Sequence, residues 1–246
     1  MALMLTDVDA RVRSAVAQYW KTLESQSTRQ RAGDADRGGR AAVTGGKQMA
    51  GFCELVSQFL TDNGIGEAHL YSQSKLELPG YFRPTKSWDM LVVCEGRLVA
   101  ALELKSQRGP SFGNNFNNRA EEAIGTATDL WTAFREEAFG RGHPRPWLGW
   151  VMLLEDCPRA TSPVGVASPH FDVFPEFKGA SYAQRYEQLM RRLMLEKLYD
   201  GAAFLMSTAS QGAKGDYTEP AADLTMRRLL AGLIGHAVAQ AAGGAL

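Results

Sequence analysis

Apolar positions recur along this chain with two different periods. Val8, Val12, Val16, Tyr19, Trp20 and Leu23 fall at helical spacing and predict an amphipathic helix over about residues 7–27. Met49, Phe52, Cys53, Val56, Phe59 and Leu60 repeat the pattern over residues 47–62, where Asn63-Gly64 supplies the stop and Glu54 lies opposite the apolar stripe. Residues 90–93 and 98–102 are instead short, Val- and Leu-rich runs broken by Glu95-Gly96, the signature of two buried strands in a hairpin. A helix is predicted over about 118–139, burying Ala120, Ala123, Ile124, Ala127, Trp131, Phe134 and Ala138, with Asn118 and Glu121 as a capping pair. A strand over 147–154, a helix over 181–199 and a strand over 202–206 follow. Thr218 then caps a last helix running from about Glu219-Pro220 to Ala242. Helices alternating with strands give an α/β fold, a mixed β-sheet flanked by helices, in a single domain spanning residues 1–246.

The segments between these elements are polar. Residues 29–46 are Gly-rich and carry Arg29, Arg31, Arg37 and Arg40, which reads as a surface loop or as a mobile arm that orders on phosphates. The stretch 157–179 holds Pro158, Pro163, Pro169 and Pro175 and is expected to be a long loop.

Charge changes the picture at the hairpin. Asp89 precedes its first strand, and Glu103 and Lys105 finish its second. A buried charge is costly unless it is paired or bound to a metal, so two acids and a lysine at one hydrophobic end require a reason. Side chains alternate along a strand, which puts Glu103 and Lys105 on the face of Ala101 and Val99. A two-residue loop at Glu95-Gly96 would turn Asp89 away from Glu103. A three-residue loop, Cys94-Glu95-Gly96, would pair Asp89 with Ala101 and set it diagonal to Glu103. In that geometry Asp89 and Glu103 could hold Mg²⁺, with the Leu104 carbonyl as a third ligand. Lys105 would then stabilise the transition state of metal-assisted phosphodiester hydrolysis. The bland alternative is a strand end carrying an ordinary surface ion pair. A second Glu-x-Lys, Glu176-Phe177-Lys178, is flanked by Pro175 and Gly179 and reads as loop.

Composition adds boundaries. The chain is 45% hydrophobic and 22% charged, ordinary for a soluble globular protein. Its net charge of zero announces no global field for nucleic acid, although a local basic cleft remains compatible with it. Cys53, Cys94 and Cys157 are far apart and without metal-ligand spacing, as expected of reduced residues in a cytoplasmic protein. The start of the chain lacks the long apolar run of a signal peptide, and the apolar 229–246 stretch is interrupted by Gly232, Gly235, His236 and Gln240, so no membrane association is expected.

Candidate DNA contacts flank the acids. Arg83 and Lys86 lie just upstream of Asp89, where a phosphate would sit, or are simply solvated loop cations. Downstream, SQRGPSFGNNFNNR presents Gln107, Arg108, Asn114, Asn115, Asn117, Asn118 and Arg119. Asn can contact adenine bidentately and Arg guanine, and a loop entering a helix N-terminus can also hold phosphates.

These residues resemble a family. Asp89, then Glu103-Leu104-Lys105, matches the PD-(D/E)xK nuclease signature, with Trp88 in place of the loosely kept Pro. The segments PGYFRPTK before WD, then ELKSQ, GPSFGNNFNNRAEEAIGTA, TAFRE, PWLGW, SPHF and VFPEF resemble the XhoI-type restriction endonucleases. The resemblance covers most of the chain and is weakest at its two ends. It implies a restriction-endonuclease-like core and a type II site-specific endonuclease that cuts double-stranded DNA at the palindrome CTCGAG. It further implies dependence on Mg²⁺, 5′ overhangs with 5′-phosphates, a homodimer, and a cognate DNA methyltransferase in the same restriction-modification system. Asp89, Glu103 and Lys105 would be catalytic, and the helix over 118–139, which follows the site and carries exposed as well as buried faces, is a candidate dimer element. The rivals are a non-specific or repair nuclease of the same fold, a catalytically inert DNA-binding protein, and a structural α/β domain with a fortuitous triplet.

Overall fold

The computed structural model of the chain describes residues 3–31 and 48–243. Helix α1 (Val8–Arg31) buries the six apolar residues of its stripe, and α2 (Ala50–Asp62) packs beside it through Phe52, Val56, Phe59 and Leu60. The predicted arm lies outside the described residues from residue 32 onward; residues 29–31 close α1. Strands β1 (Leu70–Tyr71), β2 (Glu77–Pro79), β3 (Thr85–Ser87), β4 (Met90–Cys94) and β5 (Arg97–Gln107) follow. Then come α3 (Phe112–Arg135), β6 (Trp147–Glu155), α4 (Pro158–Thr161), α5 (Tyr182–Leu195), β7 (Gly201–Ser207) and α6 (Met226–Gly243).

The main sheet has the order β1-β4-β5-β6-β7. β4 and β5 are antiparallel, whereas β5, β6 and β7 run parallel, so the sheet is mixed as expected. Parallel strands need both faces covered. On one face Met90, Val92, Leu102 and Leu104 meet Val16 of α1, Phe52 of α2 and Leu230 of α6. On the other, Ala101, Trp150 and Phe204 meet Leu130 of α3 and Tyr186 and Met190 of α5. β2 and β3 form a separate two-stranded ribbon where the sequence suggested only a loop.

Several boundaries move for identifiable reasons. α3 starts at Phe112 rather than near Asn118, because Phe112 and Phe116, one turn apart, dock on Tyr182 and Tyr186 with ring centroids 5.8 and 5.1 Å apart. That packing outweighs the poor helix propensity of the asparagines. Asn118 is therefore inside the helix and is not its cap; Ser111 holds that position. The helix ends at Arg135, with Glu137 (φ 60°) and Gly140 (φ 103°) in the left-handed region just beyond. Ala138 is consequently exposed, and Ile124, expected in the core, is 46% exposed. Thr218 does not cap the last helix: it exchanges backbone hydrogen bonds with Met206 at the edge of β7. The Glu219 carboxylate instead accepts from the Met226 N–H at 2.7 Å, where α6 begins. α5 carries the capping box of Ser181 and Gln184.

Candidate active site

The loop between β4 and β5 is the two-residue kind, with both Glu95 (φ 51°) and Gly96 (φ 76°) left-handed. The expected three-residue loop is thus corrected. A β-bulge takes over its role: Val93 pairs with Leu98 but Val92 pairs with Ala100, leaving Val99 as an extra residue in β5. The bulge turns Val99 to the face opposite Ala101, contrary to simple alternation. It also shifts the register so that Met90 faces Leu102, and one further step brings Asp89 opposite Glu103. The acids share a face by a different device.

The lysine lies between them. Lys105 Nζ is 3.1 Å from Asp89 Oδ2 and 2.5 Å from Glu103 Oε2. Asp89 Oδ2 also accepts the Leu104 backbone N–H at 2.8 Å, which fixes the carboxylate against β5. Lys86, from β3, reaches the other Glu103 oxygen and lies over the Trp88 ring, 4.6 Å from its centroid. From α3, Glu122 stands 3.7 Å from Lys105 Nζ and is itself bound by Arg119. Trp150 and Tyr199 line the same depression. Three carboxylates thus face three cations.

Glu103 is 2% exposed, and burial pushes its carboxyl up against the opposing pull of Lys105 and Lys86. Its Oε2 lacks a well-directed hydrogen bond despite the short contact with Lys105. Burial would lower Lys105, but Glu103 and Asp89 prevail and raise it, so the amine is a cation at neutral pH. Burial would likewise raise Glu122, yet Lys105 and Arg119 hold it below the usual carboxylate range. The Cys53 thiol, donating to the Asp89 carbonyl at 3.6 Å, is pushed up to about 12 by burial and then by the Asp89 charge; it is a protonated spectator.

Could the residues hold a metal? Among the described residues no group of three or more His, Cys, Asp or Glu side chains forms a ligand cage. The oxygens of Asp89 and Glu103 nevertheless converge on one ammonium, so the pair already addresses a single cation. Hard carboxylate donors suit an ion that keeps several waters and needs only one or two protein anchors. The donor set fits.

The proposed DNA contacts divide. Gln107 is buried, its amide donating to the Phe112 carbonyl at 3.0 Å and accepting from the Tyr186 hydroxyl. It joins β5 to α3 and α5, and its assignment as a base reader is corrected on that ground. Arg83 is committed to Asp129 at 2.6 Å, and Lys86 to Glu103. Arg108, Asn114, Asn117 and Asn118 are exposed, while Asn115 and Arg119 are half-buried; the four asparagines and Arg119 lie in the first two turns of α3. Glu54 is exposed on α2, as expected, and Glu176-Phe177 lies in a 3-10 turn that Lys178 ends, not in a strand.

Sequence reasoning missed Glu122 and Asp129. Both belong to a stripe on α3 at helical spacing, Arg119, Glu122, Thr126 and Asp129, of which Thr126 and Asp129 are buried. Polar residues recurring beside Ala123, Ala127 and Leu130 were the available signal.

Known proteins resemble this chain closely. The family model described as restriction endonuclease XhoI matches residues 28–219. The type II restriction enzyme BstVI of Geobacillus stearothermophilus is 53% identical over 212 residues, covering 84% of this chain and 94% of that protein. The type II restriction enzyme XhoI of Xanthomonas vasicola is 50% identical over 202 residues, 80% of this chain and 79% of the relative. The type II restriction enzyme AbrI of Azospirillum brasilense is 52% identical over 173 residues, 70% and 77% of the two chains. No solved structure matches.

Proposed function

The chain belongs to the XhoI family of type II restriction endonucleases, and we propose that it cuts both strands of DNA at the palindrome CTCGAG with Asp89, Glu103 and Lys105 as its catalytic set. It is a site-specific endonuclease of a restriction system. In the finer reading it requires Mg²⁺, leaves 5′ overhangs with 5′-phosphates, works as a homodimer in the cytoplasm, and has a cognate methyltransferase protecting the host DNA. The Asp89, Glu103 and Lys105 constellation is read as PD-(D/E)xK chemistry. The convergence of both carboxylates on Lys105 at the end of the β4–β5 pair supports the catalytic assignment, and the likeness to the type II restriction enzymes BstVI and XhoI supports the sequence-specific part of the reading.

In this reading Asp89, Glu103 and the Leu104 carbonyl would hold the ion. Bound Mg²⁺ would polarise the scissile phosphate and make a water acidic enough to attack at neutral pH. Lys105, raised and therefore charged, is a poor base; it sets positive charge against the phosphoryl oxygens as their charge grows. Glu122, 3.7 Å from the Lys105 amine, would keep it near the strand when a metal ion takes its place between the Asp89 and Glu103 carboxylates. Lys86, now paired with Glu103, would be the cation nearest the site able to pass to a phosphate oxygen if Glu103 held a metal ion. Arg108, after β5, and the exposed Asn114, Asn117 and Asn118 in the first turns of α3 would meet DNA beside the cut, with the half-buried Asn115 and Arg119 next to them.

Cleavage of a plasmid with one CTCGAG sequence tests the reading, run with Mg²⁺, with EDTA, and on a plasmid with one central base pair changed. A single Mg²⁺-dependent cut confined to the intact sequence is expected. Cutting of both plasmids would overturn the sequence assignment, and no cutting by folded protein would favour an inert DNA-binding protein.

A further inference from the structure

The ribbon of β2 and β3 ends in a tip, Gly80 to Pro84, that holds two large aromatic side chains in water. Tyr81 is 55% and Phe82 70% exposed, and their rings meet edge to face at 5.3 Å. Their backbone is far from loose. Both N–H groups donate to one oxygen of the Asp129 carboxylate, at 2.7 and 2.8 Å, and Arg83 Nε donates to the other at 2.6 Å. Arg83 also reaches the Thr126 hydroxyl at 3.3 Å, and the Gly80 N–H closes the tip on the Pro84 carbonyl. Gly80 is required there, since a Cβ would lie 2.4 Å from the Asp129 carboxylate and 2.7 Å from the Arg83 carbonyl. Asp129 itself is buried on α3.

A buried carboxylate spent on fixing a surface turn is an unusual use of a costly group. It immobilises the backbone and leaves both rings outside. The ribbon is continuous with the catalytic cluster at two points. Lys86 of β3 contacts Glu103, and Asp129 sits seven residues beyond Glu122 on α3. Two helical turns span about 10 Å, or roughly three base steps of a duplex at ~3.4 Å each. Arg83, paired with Asp129 and with its side chain 42% exposed, flanks the rings.

We propose that Tyr81 and Phe82 form a rigid aromatic wedge that stacks on bases of the duplex engaged at the Asp89–Glu103 site. The ligand class is the nucleobase face of double-stranded DNA. Apolar side chains inserted at a base step partly unstack it, and base–aromatic stacking tolerates any sequence because every base has a π-face. The inference rests on the endonuclease reading and deepens it.

The test is the double variant Tyr81→Ala, Phe82→Ala, which removes the rings but keeps the backbone N–H groups that Asp129 holds. Binding is measured without Mg²⁺ by fluorescence anisotropy on a CTCGAG duplex and on a random-sequence pool, alongside fluorescence of duplexes carrying 2-aminopurine in and beside the palindrome. The variant should bind both DNAs about 10- to 100-fold more weakly, and the wild-type increase in 2-aminopurine fluorescence should vanish, with sedimentation and thermal melting unchanged. Binding within two-fold of wild type would overturn the wedge, as would a loss of self-association that assigns the tip to an interface between copies. Equal weakening on both DNAs, with wild type indifferent to CTCGAG, would retain the wedge and remove the sequence assignment. Wild-type protein that binds neither DNA would remove both.

Discussion

Lys105 connects the charges of the site: it touches Asp89 and Glu103 directly and faces Glu122 across the depression. Its partners hold it protonated, so its loss and the loss of an acid should separate experimentally. Asp89→Ala and Glu103→Ala should abolish cleavage and also Mg²⁺ binding by calorimetry. Lys105→Ala should lose at least ~10²-fold in cleavage rate, in keeping with removal of one preorganised charge donor, yet still bind Mg²⁺. Full activity in either acid variant would dismiss the metal site; lost Mg²⁺ binding in Lys105→Ala would make the lysine an organiser of the ligands instead. Asp89, Glu103 and Lys105 were legible because charges at the end of an apolar hairpin contradict their surroundings. Glu122 was not, since a glutamate on an amphipathic helix reads as part of a solvated face until the helix is docked. Gln107 misled for the converse reason: a lone amide after a strand offers no sign that Tyr186, 79 residues away, will bury it.

Strands and helices were visible through their periods, but the device that aligns the site was not. Nothing in VVCEGRLVAAL distinguishes a two-residue turn with a bulge at Val99 from a three-residue turn, because both return the chain with an odd offset. The start of α3 was equally hidden, depending on Phe112 and Phe116 finding Tyr182 and Tyr186. Attachment of the β2–β3 ribbon to α3 is an element-scale property that can be titrated. Burial would raise Asp129, but Arg83 and the N–H groups of Phe82 and Tyr81 lower it below the usual carboxylate range. Its folded value therefore lies beneath an unfolded value of about 3.9. Its stabilisation is complete above that pH and disappears as pH falls through the folded value. Asp129→Asn should cost about 2 kcal/mol at neutral pH, or roughly 4–8 °C in Tm for a chain of this size. The gap to wild type should therefore persist through the carboxylate range and close only as pH falls through the lowered folded value of Asp129. A gap independent of pH would mean that shape, not charge, holds the ribbon.

At the scale of the molecule, the alternation of helices and strands was enough to foresee a mixed sheet covered on both faces, since parallel strands admit few other arrangements. The zero net charge says little about any local field, because local clusters of cations such as Lys86, Lys105 and Arg119 are cancelled elsewhere in the sum. What the single chain contains is one Asp89–Glu103–Lys105 cluster. A palindrome offers two equivalent phosphates, and two-fold DNA symmetry is matched by two copies of a protein carrying one site each. A heterodimer of one wild-type and one Asp89→Ala subunit, isolated through two different affinity tags, should therefore retain a single competent site. It should convert supercoiled plasmid to open circles and stop there, while the wild-type pair proceeds to linear DNA. Linear product at the wild-type rate from the mixed dimer would show that one cluster serves both strands, and the symmetric assignment would fall. Absence of any mixed species, with the protein sedimenting as a monomer on its own DNA, would remove the dimer altogether.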